Sequence, residues 1–144
     1  MRIPRYRVAL VREENTPISS RVINGPRDAF DLLRDAMGDA DHENLLTLLL
    51  DTRNRVIGTH SVSIASLQAG SVPPRDTFTA AILGNAASII LAHGHPSGDP
   101  EPSHEDIAVT DHLKRAGEIL GVPVLDHLVL CDESFRSLKE CHLI

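Results

Sequence analysis

The chain has 144 residues, enough for one hydrophobic core and too few for two comfortable domains. Hydrophobic residues at 42% and charged residues at 24% exclude a disordered polymer. A net charge of -6 gives no general attraction for a polyanion, so bulk electrostatics do not favour nucleic acid as a partner.

No apolar run reaches the roughly 18 residues that a membrane span needs, so no membrane role is expected. The opening MRIPRYRVALVREE places charge where a signal peptide would be apolar, which points to the cytoplasm. In that reducing compartment Cys131 and Cys141 are expected as free thiols. Arg2, Arg5, Arg7 and Arg12 cluster near the start and read as a solvated edge rather than a binding stripe.

In chain order, Tyr6 to Val11 alternates and predicts a short strand, followed by a polar linker to about residue 24 that belongs to the same unit. Gly25-Pro26 then opens the main domain, 25–144, with a helix in which Ala29, Phe30, Leu33 and Met37 share a face and Gly38 is the cap. Leu45 to Leu50 (LLTLLL) reads as a strand buried on both sides. Asp51-Thr52-Arg53-Asn54 is turn chemistry, and the alternating stretch from Val56 to Ser61 predicts an antiparallel return strand.

Pro73-Pro74 begins a second helix with Phe78, Ala81, Ile82 and Asn85 on one face. Ala86 to Ala92 leads into a buried strand ending at His93. A helix from about His104 to Leu120 is expected to bury Ile107, Thr110, Leu113, Ala116 and Leu120 before Gly121 and Pro123 stop it. Val122 to Leu130 and Phe135 to Leu138 complete a strand pair. The β-α-β-β-α-β-α-β-β order predicts an α/β fold, a mixed β-sheet packed by helices.

Chemistry concentrates in His93-Gly94-His95 and the loop that follows to Asp106. Side chains two apart on an extended backbone point the same way, so both imidazoles can face one ion at about 2.0 to 2.1 Å. Prolines and a glycine stiffen the return loop, making Asp106, one turn into the next helix, the candidate third ligand. Two nitrogens and a carboxylate leave one position on Zn²⁺ for a catalytic water. The same Ser103-x-x-Asp106 spacing also reads as a capping box that satisfies free helix amides. A paired His-x-His at the end of an apolar strand, by contrast, has no structural excuse of that kind.

Other signatures fit poorly. The His-Glu-x-x-His helix pattern is absent, and the two cysteines are too far apart for a paired-cysteine zinc site. Ser97 and Ser103 lack the Gly-x-Ser-x-Gly elbow of a serine hydrolase.

His93-x-His95, seven residues, Ser103, two residues, Asp106 resembles the JAMM motif of JAB/MPN metalloproteases. The longer string HGHPSGDPEPSHED, together with LDHLVL at 125–130 and Glu43 ahead of LLTLLLD, resembles the RadC family in particular, over about residues 25 to 140. The resemblance implies the MPN/JAB, cytidine-deaminase-like architecture and a zinc site of His93, His95 and Asp106. It further implies Glu43 as general base on the metal-activated water and Ser103 as a donor to the developing oxyanion. Read without the resemblance, Glu43 is a solvated acid before a strand. Longer RadC proteins carry a helix-hairpin-helix segment of DNA-binding type; none is found here, so the chain resembles the short forms.

His127, on an apolar strand, is expected to be a hydrogen-bonded structural residue rather than a ligand. His42, His60, His104, His112 and His142 are expected at the surface, and Asp99, Glu101 and Glu105 on the loop rim. The leading expectation is a zinc peptidase or isopeptidase with a protein or peptide substrate. The alternatives are a DNA-repair or mobile-element module whose metal is structural, and a non-catalytic MPN scaffold. Specificity would reside in rim loops such as Ser66 to Val72, and His₂Asp ligation also suits other first-row metals.

Overall fold

Leu45–Leu50 forms β1, and all six of its side chains are buried because apolar layers cover both faces of the sheet around it. The structure, a computed structural model, describes residues 1–13, 18, 21–36, 44–62, 64, 72–95 and 98–144. Its elements run α1 (Pro26–Ala36), β1, β2 (Val56–Val62), α2 (Pro74–Leu83), β3 (Ser88–Gly94), α3 (His104–Leu120), β4 (Val124–Leu130) and β5 (Phe135–Ser137). The mixed α/β sheet expected from the pattern is present, with strand order β2-β1-β3-β4-β5.

β1 pairs antiparallel with both β2 and β3, while β4 lies parallel to β3 and antiparallel to β5. A parallel neighbour requires a crossover, and α3 supplies it. Side chains alternate across the strands, so two apolar layers form. On one face Leu45, Leu49, Ile89 and Leu91 pack with Phe78 of α2 and with Val109 and Leu113 of α3. On the other, Leu46, Leu48, Leu50 and Ile90 pack with Phe30 and Leu33 of α1. Phe30 also stacks on Phe135, with ring centroids 4.8 Å apart.

The expected strand at Tyr6 to Val11 is not formed. Residues 1–13 contain no strand, and Tyr6, Val8 and Val11 are largely exposed. Alternation supplies a pattern but not a ladder partner, and backbone pairing begins later. The Ile23 amide donates to Asn54 O, and the Val56 amide to Arg21 O, beside the β1–β2 turn.

Three helix faces can be compared with expectation. In α1, Ala29, Phe30 and Leu33 are buried as patterned, while Met37 and Gly38 lie outside the described residues. In α2, Phe78 and Ala81 are buried but Ile82 is exposed, and Asn85 lies beyond the helix with φ 54. Thr77 and Ala80 take the inward positions instead. In α3 the buried stripe is Asp106, Val109, Thr110, Leu113 and Gly117; Ile107 and Ala116 are only half-buried, and Leu120 is exposed. That rotation, about one residue from the purely apolar stripe, turns a carboxylate inward. Gly121 ends α3 in the left-handed conformation at φ 74, where a side chain would be strained.

Candidate metal centre

The end of β3 and the start of α3 meet where the parallel crossover begins, the carboxyl end of a strand where open α/β sheets place their ligands. His93 is the penultimate residue of β3 and only 5% exposed. His95 follows the strand, and its amide donates to Leu130 O at 3.0 Å, tying the loop to the end of β4. Asp106, the third residue of α3, is 2% exposed.

These elements bring the three side chains expected as ligands into one cluster, with donor atoms all within 4.8 Å of one another. His93 Nε2 lies 3.1 Å from Asp106 Oδ1, and His95 Nε2 lies 3.0 Å from Asp106 Oδ2. The imidazoles stand edge to face, with centroids 5.0 Å apart.

The capping box is formed as well. Ser103 is the N-cap of α3; its Oγ accepts the Asp106 amide hydrogen at 3.1 Å, and Asp106 Oδ2 accepts the Ser103 amide hydrogen at 2.7 Å. A cap and a ligand role are therefore compatible for Asp106, since the capping carboxylate also faces the two histidines. Burial opposes ionisation of that carboxyl, but the two histidines and the Ser103 amide outweigh it and hold it well below the usual carboxylate range.

Do these groups suit a metal ion? His95 Nδ1 lies 2.9 Å from Asp99 O, a carbonyl that can only accept, so that nitrogen carries a proton and Nε2 is the nitrogen turned to the cluster. His93 Nε2 is buried and makes no hydrogen bond, its approach to Asp106 Oδ1 being off the bonding direction. With both rings neutral, nitrogen lone pairs would face an ionised carboxylate across about 3 Å, and a cation among them, a proton or a metal ion, relieves that repulsion. The donor set fits a divalent ion with nitrogen and oxygen preferences.

His127 is fully buried on β4, next to the cluster rather than in it. Its Nε2 lies 2.7 Å from His93 Nδ1, and its Nδ1 contacts Thr110 Oγ1 of α3. Burial drives its pKa well below the ordinary value, so the ring is held in its neutral form. The expectation of a hydrogen-bonded histidine holds, but its partner is a candidate ligand. The strand pattern carried no signal for that, because the partner is set by the register of β3 against β4.

Asp99, Glu101 and Glu105 are exposed on the rim, and so are His104, His112 and His142. His60 departs from expectation: it is half-buried on β2, and its Nδ1 is buried without a partner. Glu43, His42, Ser97 and all of the 66–72 rim except Val72 lie outside the described residues. Cys131 and Cys141 are free. No helix among the described residues is long and apolar enough to cross a membrane.

Fold and site together define a mixed-sheet α/β domain with a buried His-His-Asp cluster at a strand-to-helix crossover. The family model described as "RadC-like JAB domain" matches residues 23–143, and the chain belongs to that family. It is 51% identical over 127 residues to a "UPF0758 protein" of Moorella thermoacetica, an alignment covering 88% of this chain and 56% of the relative. A second "UPF0758 protein", from Desulforamulus reducens, is 47% identical over 129 residues, 89% of this chain and 57% of the relative. One from Methanosarcina mazei is 43% identical over 120 residues, covering 83% and 52%. The chain thus spans little more than half the length of these relatives.

Proposed function

We propose that this domain is a zinc-dependent hydrolase of the JAMM type, cleaving amide bonds in a peptide or isopeptide substrate. The observation that carries the reading is the convergence of His93, His95 and Asp106 with a buried His93 Nε2 that has no hydrogen-bond partner. A divalent ion held by these three residues would supply Lewis acidity toward the scissile carbonyl and acidify a water to a pKa of about 7.

The remaining roles fall to the chain's own side chains. Ser103 Oγ uses a lone pair to accept the Asp106 amide hydrogen, so its own proton is available to donate to the carbonyl oxygen as that oxygen gains charge. Glu43 takes the proton of the attacking water and passes it to the leaving amine. In support, Glu43 directly precedes Asn44 and β1, and β1 runs antiparallel to β3 with Leu46 opposite Ala92. The start of β1 therefore lies beside the end of β3, where His93 sits.

The test is cleavage of a defined peptide mixture, followed by mass spectrometry, with zinc-loaded wild type and zinc-loaded Glu43→Gln. New termini are expected with the wild type, reduced at least about a hundredfold in the variant, the scale on which a general base acts. Equal cleavage by both would remove Glu43 from the mechanism. A wild type that takes up no zinc would leave a binding scaffold instead of a hydrolase.

A further inference from the structure

Hydrogen-bond direction around His93 can be worked out from one fixed point. The backbone carbonyl of Asp106 can only accept, and Thr110 Oγ1 lies 2.6 Å from it, so the single Thr110 hydroxyl proton is committed there. Thr110 Oγ1 also contacts His127 Nδ1 and has only a lone pair left to offer. His127 Nδ1 must therefore carry a proton and donate it. A neutral imidazole has one N–H, which leaves His127 Nε2 as an acceptor, 2.7 Å from His93 Nδ1. His93 Nδ1 is then the donor, and His93 Nε2, on the side facing Asp106 and His95, is left bare.

We infer that Thr110 and His127 are positioning residues that choose the tautomer of His93, freeing its Nε2 for a metal ion through a buried relay that starts at the Asp106 carbonyl. The inference deepens the metal-site reading above and rests on it. Asp106 thereby acts twice, its carboxylate facing the cluster while its main-chain oxygen orients the opposing histidine. His95, at the more open edge, needs only the Asp99 carbonyl for the same purpose. His93 is too buried for solvent to serve, and the partner it meets is the side chain of His127 on the neighbouring strand.

Removing the Thr110 hydroxyl frees His127 to adopt the other tautomer, place its proton on Nε2 and donate to His93 Nδ1. His93 would then carry its proton on Nε2, which must be lost before a metal can bind. Outer partners of metal-bound histidines typically contribute ten- to a hundredfold in affinity.

The experiment compares wild type, Thr110→Val and Thr110→Ser, reading zinc affinity by competition with a chromophoric chelator and imidazole protonation by ¹⁵N NMR at about pH 8. Thr110→Val keeps the shape and loses the hydroxyl; Thr110→Ser keeps the hydroxyl. Expected are protons on Nδ1 of both His93 and His127 in the wild type, a ten- to hundredfold weaker affinity in Thr110→Val, and recovery to near wild type in Thr110→Ser. A purely packing role for Thr110 would change melting temperature without moving the proton. Wild-type His93 protonated on Nε2 with Nδ1 bare, or undiminished zinc affinity in Thr110→Val, overturns the inference while leaving the metal centre standing. A wild type that binds no zinc overturns the metal reading itself.

Discussion

Ser103 and Asp106 bind each other reciprocally, each side chain accepting the other's amide hydrogen, at 3.1 and 2.7 Å. The cap holds the carboxylate in a single orientation, so the device that begins α3 also aims Asp106 at the two histidines. Helix capping and the placement of the candidate ligand share one geometry here, and two substitutions separate them. Ser103→Ala removes the cap acceptor and is expected to lower the stability of the metal-free protein by about 1 kcal/mol in urea unfolding, with zinc retained. Asp106→Asn keeps an oxygen for the Ser103 amide but loses the charge. Its unfolding midpoint should stay closer to wild type while its zinc content falls. If Asp106→Asn kept full zinc, Asp106 would not be a ligand.

His95 is the more exposed of the two histidines, its side chain 19% exposed against 6% for His93. His95→Ala is expected to fold with an unchanged circular-dichroism spectrum and to lose the roughly one zinc per chain that elemental analysis should find in the wild type. Glu43→Gln should retain that zinc. Equal metal content in His95→Ala and wild type would mean that the bound metal sits elsewhere.

Asp51 closes the β1–β2 turn. Its Oδ1 accepts the Arg53 and Arg55 amide hydrogens at 2.9 Å each, and its Oδ2 accepts from Arg55 Nε at 2.9 Å. The Arg55 amide is the largest influence, and with the other bonds it overcomes the burial cost to hold the carboxyl below its ordinary value. A lowered folded-state pKa contributes stability above the unfolded-state value of about 3.9, and that stability disappears as pH falls through the folded value. The melting-temperature gap between wild type and Asp51→Asn should therefore be present at about pH 6 and shrink progressively as the pH falls below about 3.9. A gap independent of pH would mean that charge is not what Asp51 contributes.

Gly117 sits where α3 passes closest to its neighbours. An added Cβ would lie 2.5 Å from Val122 O and 3.2 Å from the Phe78 ring. The first of these is backbone and cannot swing aside, because Val122 N in turn donates to Gly117 O. Gly117→Ala should cost about 1 to 3 kcal/mol despite its better helix propensity. Differential scanning calorimetry would show this as a fall of several degrees in Tm; an unchanged or raised Tm would show that the segment at Val122 can move away from α3 without penalty.

Within the described residues, the sequence alone determined the elements that carry the site. LLTLLL is apolar at every position but Thr47, which reads as an interior strand, and the proline-initiated helices and the Gly121 stop lie where local stereochemistry puts them. His93-x-His95 was legible because period two places alternate side chains on one side, and Asp106 because it stands one turn inside a capped helix. Tertiary structure decided what depends on neighbours. Tyr6 to Val11 alternates like a strand but pairs with none, since ladder hydrogen bonds belong to two segments and not to one. Ile82 and Leu120 are apolar yet exposed, while Asp106 and Thr110 point inward, because the rotation of a helix is chosen by everything it packs against. The contact of His127 with His93 comes from the register of two parallel strands separated by the whole of α3. Such registers are set by packing over long chain separations, and no local pattern encodes them.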